Sequence, residues 1–132
     1  MSSTFEHRAL ELQEQKSIVF TALSKKYFYM RMHIAKFVLE SGKVPMNPFL
    51  AFDYFLADLV DRDLVRNANN NLVRIADELW VFGSISNGVF AEMKQVQAAG
   101  KPIRFFQIVK DRDFVEVTLE QAEYEDGVEK FI

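Results

Sequence analysis

Residues 83–92, Gly-Ser-Ile-Ser-Asn-Gly-Val-Phe-Ala-Glu, set a small polar turn between a very apolar pentad and a helix-like run. Ser84, Ser86, Asn87 and Gly88 offer hydroxyls, an amide and bare backbone where a helix begins. A helix N-terminus carries free N–H groups and the positive end of the helix dipole, so such a turn suits an anion such as phosphate. Glu92 follows about one turn into the helix and could face the same crevice. A carboxylate there could do chemistry in that crevice. It could equally do no more than complement the dipole, worth roughly a few tenths of a kcal/mol. Both readings fit the spacing.

The remaining chemistry-bearing residues are scattered. Lys25, Lys26 and Arg31 could reach a phosphate, or form the solvated start of a helix. Asn67, Asn69, Asn70 and Asn71 are poor helix formers in a helical stretch, so they either line a crevice or mark an exposed, frayed turn. Asp53 could join acid–base work or cap a helix, and Asp77 caps or orients the strand after it. His7 and His33 have no partners at metal-ligand spacing, and the chain has no cysteine. No metal, cofactor or disulfide is therefore expected. Nucleotide-cradling GxxxxGK[ST] and GxGxxG loops are missing, as is a Ser-His-Asp set.

The elements that must position these residues follow from hydrophobic period. "SIVFTAL" (17–23), "DELWVFG" (77–83) and "PIRFFQIV" (102–109) are short apolar runs suited to strands buried on both faces. "KVPMNP" predicts a short second strand ending by Pro48. Met30, Ile34, Phe37 and Val38 share one helix face within 27–41, with Gly42 at the C-cap. Asn47-Pro48 opens a capped helix over "FLAFDYFLADL". Asp61 opens another, with Val65, Ala68, Leu72 and Ile75 along one side. Residues 88–99 form a helix ended by Gly100, and Thr118-Leu119-Glu120-Gln121 fits a capping box. Strands alternating with helices predict an α/β fold. It would be a three-layer, flavodoxin-like or Rossmann-like domain with a mostly parallel sheet of about five strands. Residues 1–16 read as an arm or short helix, and 17–132 as one domain. In open α/β sheets ligands bind beyond the carboxyl ends of the strands, which brings residues 24–27, 46–54 and 83–92 forward.

Bulk numbers limit the partners. The chain has 132 residues, 49% of them hydrophobic and 27% charged, with a net charge of −3. That balance lacks the basic face of a nucleic-acid binder. The segment "MSSTFEHRALELQEQK" has no apolar core like that of a signal peptide, and no run approaches the ~20 residues that span a bilayer. A soluble cytoplasmic protein with no membrane partner is expected. Thirteen phenylalanines favour a homo-oligomer, dimer or higher, because aromatics concentrate in interface cores. Trp80 reads as core; Phe49, Phe52, Tyr54 and Phe55 pack the core or a subunit face, although one of these could stack on a base.

The segment "ADELWVFGSISNGVFAEMKQVQAAGKPIRFF" (76–106) resembles the signature of the nucleoside 2-deoxyribosyltransferase-like superfamily. In that signature an Asp precedes an apolar strand, an [Asp/Ser]-x-Gly-x-x-x-Glu turn and helix follow, and an Ala-x-x-x-Gly-Lys-Pro-Val-like entry leads to the next strand. Here these are Asp77, Ser86-Asn87-Gly88-Val89-Phe90-Ala91-Glu92, and Gln97-Ala98-Ala99-Gly100-Lys101-Pro102-Ile103. "SIVFTALSKK" and "SGKVPMNPFLAF" have a compatible layout. The resemblance implies that Glu92 is a nucleophile at the anomeric carbon of a nucleoside or nucleotide. It implies that Ser86, Asn87, Gly88, Asn69, Phe20, Ser24 and Lys25 lie around the substrate. Transferases of this kind tend to carry Asp at the position of Ser86, accepting from a 5'-hydroxyl. The branch that hydrolyses nucleoside 5'-monophosphates tends to carry Ser, which donates to a phosphate.

The chain departs from the pattern in three places. An Asp common on the preceding helix is Asn69 here, which can hydrogen-bond but cannot act as a general base. A Tyr usual in the first strand is Phe20. The Gly-Pro after that strand is Leu23-Ser24. The resemblance thus implies an N-glycosidase acting on a small-molecule nucleotide. A nucleotide-binding or sensing module without turnover is the alternative that Asn69 and Phe20 suggest, and a deoxyribosyltransferase is the third.

Overall fold

A computed structural model describes residues 5–110 and 112–132; residues 1–4 of the expected N-terminal arm lie outside the described residues. The rest of that arm carries one short helix, α1 (Arg8–Glu11), which buries nothing. Five strands follow: β1 (Ile18–Leu23), β2 (Val44–Met46), β3 (Glu78–Phe82), β4 (Ile103–Val109) and β5 (Asp113–Val117). They form one sheet in the order β2-β1-β3-β4-β5. β1 pairs in parallel with β2 and β3, and β3 with β4, while β5 returns antiparallel to β4. This is the expected mostly parallel, five-stranded, three-layer fold.

Alternation along the strands sorts the core into two layers. Phe20, Ala22, Leu79, Val81 and Phe105 point to one face, where α4 (Arg62–Ile75) and α5 (Asn87–Ala98) cover them with Val73, Ala76, Val89, Met93 and Val96. Val19, Leu23, Trp80, Phe82 and Phe106 point to the other, beneath Met30 and α2 (Arg31–Glu40), which supplies Ile34 and Val38. The half-buried Phe37 is the hub of the second layer, with ring centroids 5.0–6.1 Å from Phe114, Phe106, Trp80 and Phe82. Much of the phenylalanine surplus is therefore spent inside the chain.

Several expectations change in detail. The helix expected over 27–41 begins as a 3-10 turn at Lys25–Met30 and becomes α-helical only at Arg31. The helix expected after Pro48 is only α3 (Pro48–Ala51). Beyond it Asp53 and then Phe55, Leu56, Ala57 and Asp58 all have positive φ, between 48° and 61°, so a left-handed turn replaces the helix. L-residues adopt that geometry at about 1–2 kcal/mol each. Arg62 pinches the turn from below: its guanidinium donates to both Asp58 carboxylate oxygens at 2.7 and 3.2 Å and lies 4.5 Å from the Phe55 ring centre. α4 is also rotated from its expected orientation, with Val65 and Val73 buried and Ile75 58% exposed.

Two interactions tie the strand starts together. Asp77 donates its N–H to Ile18 O at 2.8 Å, and its carboxylate accepts the Ile18 N–H at 2.7 Å, joining the first residue of β1 to the residue just before β3. Lys101 donates to Arg74 O and Ala76 O at 2.6 Å each, closing the carbonyl end of α4. Both residues fall in the segment 76–106, so part of its pattern is structural. Asp77→Ala is expected to cost about 1 kcal/mol, the net worth of the exposed hydrogen bond it removes. Urea unfolding of the two proteins, with a lower midpoint and unchanged slope for the variant, checks this.

Candidate active site

β1 sends the chain to α2 on one face of the sheet, and β3 sends it to α5 on the other. The carboxyl ends of these neighbouring strands therefore diverge, which makes a topological switch point and a crevice. The loop after β1 (Ser24 onward) and the loop after β3 (Gly83–Ser86) meet there.

α5 starts at that edge. Ser86 is its N-cap, with extended backbone (φ −90°, ψ 172°) and a side chain accepting from Val89 N at 3.3 Å. The Ser86 hydroxyl proton stays free to donate outward. Asn87 and Gly88 are exposed in the first turn. Val89, Met93 and Val96 turn inward to the sheet, which sets Glu92 and Gln95, three apart, on the neighbouring stripe facing α4. Gln95 Nε2 donates to Asn70 Oδ1 at 3.0 Å, and Asn69 Nδ2 donates to Glu92 Oε2 at 2.8 Å.

Asn69 sits midway between Val65 and Val73 on the inner stripe of α4, where the helical period asks for an apolar residue. Its polarity is explained by Glu92. The carboxylate is half-buried, and desolvation raises its pKa from 4.5 to about 7, against the opposing pull of the Asn69 hydrogen bond. Among the described residues Asn69 is the one side chain hydrogen-bonded to Glu92, and no charged group contributes to the shift. A carboxylate can only accept, so the Asn69 amide presents Nδ2 to it and turns Oδ1 away. Asn69 Oδ1 is buried without a hydrogen-bond partner, alone in this among the side-chain oxygens and nitrogens of the described residues.

Of the residues expected around a substrate, Glu92 and Asn69 are in direct contact, and Ser86, Asn87 and Gly88 form the first turn of the helix that carries Glu92. Phe20 is completely buried in the core layer beneath α5, with Val89 and Met93. Ser24 is 3% exposed at the end of β1, and Lys25 is exposed. Among the described residues no helix is long and apolar enough to cross a membrane, and no group of three or more His, Asp or Glu could hold a metal ion.

Sequence reasoning missed the closure of the switch point. The Tyr27 ring packs over Gly83, and its hydroxyl meets Ser84 Oγ at 3.0 Å and accepts the Ser84 N–H at 3.1 Å. On the other side the C-terminal segment pairs with the same loop: Ile85 N–H donates to Glu123 O at 2.8 Å and Glu125 N–H to Ile85 O at 2.9 Å. Glu125 lies 3.4 Å from Ser84 Oγ and 3.9 Å from Lys26 Nζ. The only forewarning was Gly83 itself, since glycine at a strand end marks positive φ or a close approach. A cleft of about 400 Å³ opens between Tyr27, Tyr29, Ser84, Gln107, Lys110 and Glu123; Glu92 does not line it.

The fold is similar to the solved structure of a 2-desoxiribosyltransferase from Leishmania mexicana, with a TM-score of 0.52 at 14% identity, over 87% of this chain and 89% of that one. At that identity the likeness is one of fold. No curated protein matches the chain. The match that reaches sequence level spans residues 21–106, from the middle of β1 into β4 and so across Asn69, Ser86 and Glu92, and it shows that the chain belongs to the family described as Domain of unknown function (DUF7768).

Proposed function

We propose that this chain is an N-glycosidase that hydrolyses the base–sugar bond of a nucleoside 5'-monophosphate, with Glu92 as nucleophile. The observation that carries the reading is the state of Glu92. It is a half-buried carboxylate in the second turn of the helix that starts at the ligand edge of the sheet; among the described residues it has no cationic partner, and one of its oxygens is held by Asn69. A structural carboxylate would be exposed or neutralised by a cation. The similarity to a deoxyribosyltransferase fold supports the same class of chemistry.

In this reading Asn69 holds Oε2 and leaves Oε1 to attack C1'. The Oε1–C1' bond forms as the C1'–N bond breaks; the base leaves with that electron pair and takes a proton from water. A second water then attacks C1' of the glycosyl ester, releases its proton, and returns Glu92 as carboxylate. The carboxylate suits an oxocarbenium-like transition state. The 5'-phosphate would rest on the Ser86 hydroxyl and the N–H groups that open α5.

The test is release of free base from a panel of ribo- and deoxyribonucleoside 5'-monophosphates, separated by chromatography. Release is expected, and with a defined pH dependence. Glu92 must be ionised to attack, so the rate rises with pH through about 7 and falls about tenfold per unit below it. A rate independent of pH between 5 and 8 would remove Glu92 from the chemistry. Base exchange on adding a free acceptor base would mark a transferase. Binding without release would leave a nucleotide-binding module.

A further inference from the structure

We infer that the sugar this site takes is ribose rather than 2'-deoxyribose, selected by Asn69 Oδ1 accepting a hydrogen bond from the 2'-hydroxyl. The inference rests on the glycosidase reading above.

Asn69 Oδ1 is a buried acceptor without a partner, bound to the same amide carbon as the nitrogen that holds Glu92 Oε2 at 2.8 Å. A buried acceptor left unmade is costly, so a ligand that brings a donor to it gains what the free protein lacks. Stereochemistry identifies the donor. Displacement at C1' is in line, so the base leaves from the face of the sugar opposite Glu92 and its N–H groups lie on the far side. Of the two ring atoms beside C1', the ring oxygen carries no proton. The other is C2', and in a β-ribonucleotide its hydroxyl lies on the face that Glu92 attacks. With Oε1 at C1', the 2'-hydroxyl is the sugar donor nearest the Oε2–Asn69 pair. Hydrogen bonds at this hydroxyl also strengthen as the transition state forms. A 2'-deoxy sugar puts a C–H there and leaves Oδ1 unpartnered, and a buried site built to hydrogen-bond a hydroxyl discriminates against the analogue lacking it.

The experiment measures kcat/KM for base release at pH 8, where Glu92 is ionised, on matched pairs of ribo- and 2'-deoxyribonucleoside 5'-monophosphates. Ribonucleotides are expected to be preferred by about 10- to 100-fold, the effect of one buried hydrogen bond left unmade. Asn69→Leu, of similar volume but without an acceptor, should bring the ratio to within about twofold. Asn69→Asp keeps an acceptor oxygen; it should slow both sugars and preserve the preference. A purely structural Asn69 would change both rates together and leave the ratio unmoved in every variant, which overturns the inference. Equal or deoxyribose-preferring rates in the wild type also overturn it and leave the glycosidase reading standing, with the 3'-hydroxyl common to both sugars as the donor to Oδ1. If neither sugar releases base, the glycosidase reading falls. Calorimetric binding of the same pairs to the wild-type protein then decides the sugar: tighter ribonucleotide binding sustains the selection, and equal or absent binding ends it.

Discussion

Glu92→Gln is expected to abolish base release, by at least about 10³-fold, and at the same time to make the protein more stable at pH 8. The first effect follows from removing the nucleophile. The second follows from the physical state of the carboxylate. Its pKa in the folded protein is about 7 against an ordinary 4.5, so between those values the folded state holds a proton that the unfolded chain gives up. Stability therefore falls as pH rises through this window and is lowest once Glu92 is fully charged above about 7. The gap corresponds to roughly 3 kcal/mol as an upper bound, at about 1.4 kcal/mol per pH unit. A neutral glutamine escapes that cost. It keeps an oxygen for Asn69 Nδ2 and adds an N–H₂ that can turn toward the unpartnered Asn69 Oδ1. The variant should melt several degrees above wild type at pH 8, with the gap closing towards pH 4.5. Thermal melts of both proteins across this range measure it. Equal melting temperatures at every pH would show that Glu92 is solvated and would remove the physical basis of its proposed role. A stabilising substitution that destroys activity is characteristic of a functional site held in an unfavourable state.

How much of this could be read from the chain alone differs by element. β1, β3 and β4 were legible because strands covered on both faces must be apolar at every position, and a run such as Leu79-Trp80-Val81-Phe82 has few other uses. α5 was legible from its ends, Ser86 at the start and Gly100 after the finish. The left-handed turn at 53–58 was not, because nothing in "DYFLAD" announces positive φ without glycine. α4 was misaligned by a residue or so because Asn69 interrupts the inward stripe and moves the apparent apolar face towards Ile75. Its place near the site could be anticipated only from the family resemblance, by counting back eight residues from Asp77, and its bond to Glu92 not even from that. The contacts of Tyr27 and Glu125 with Ser84 span 57 and 41 residues of chain, beyond the reach of any local pattern. The C-terminal pairing to Ile85 was lost for the same reason.

The loop that carries Ser86 can be tested at its anchor, Gly83. This glycine has φ +76°, and a Cβ placed on it would lie 2.6 Å from Tyr27 Cζ. Gly83→Ala therefore brings two penalties. A left-handed alanine costs about 1–2 kcal/mol. The Tyr27 ring must also move, giving up its hydroxyl's bonds to Ser84 N and Oγ, at about 1 kcal/mol each. A loss of roughly 3 kcal/mol is expected, seen as a fall of about 10 °C in Tm. Gly100 is the internal control: it has φ +71° but open space around its Cβ position. Gly100→Ala should cost only the backbone share, about 1–2 kcal/mol. The two penalties at Gly83 separate in a double-mutant cycle with Tyr27→Ala, where the collision is already relieved and Gly83→Ala should cost little more than Gly100→Ala does. Additive losses would show that Tyr27 does not rest on Gly83. Base release should follow the cycle too, because Tyr27 holds Ser84 and Ser84 leads directly to the Ser86 cap of the Glu92 helix. Partial recovery of activity in the double variant relative to Gly83→Ala alone would place Tyr27 as the residue that positions this loop.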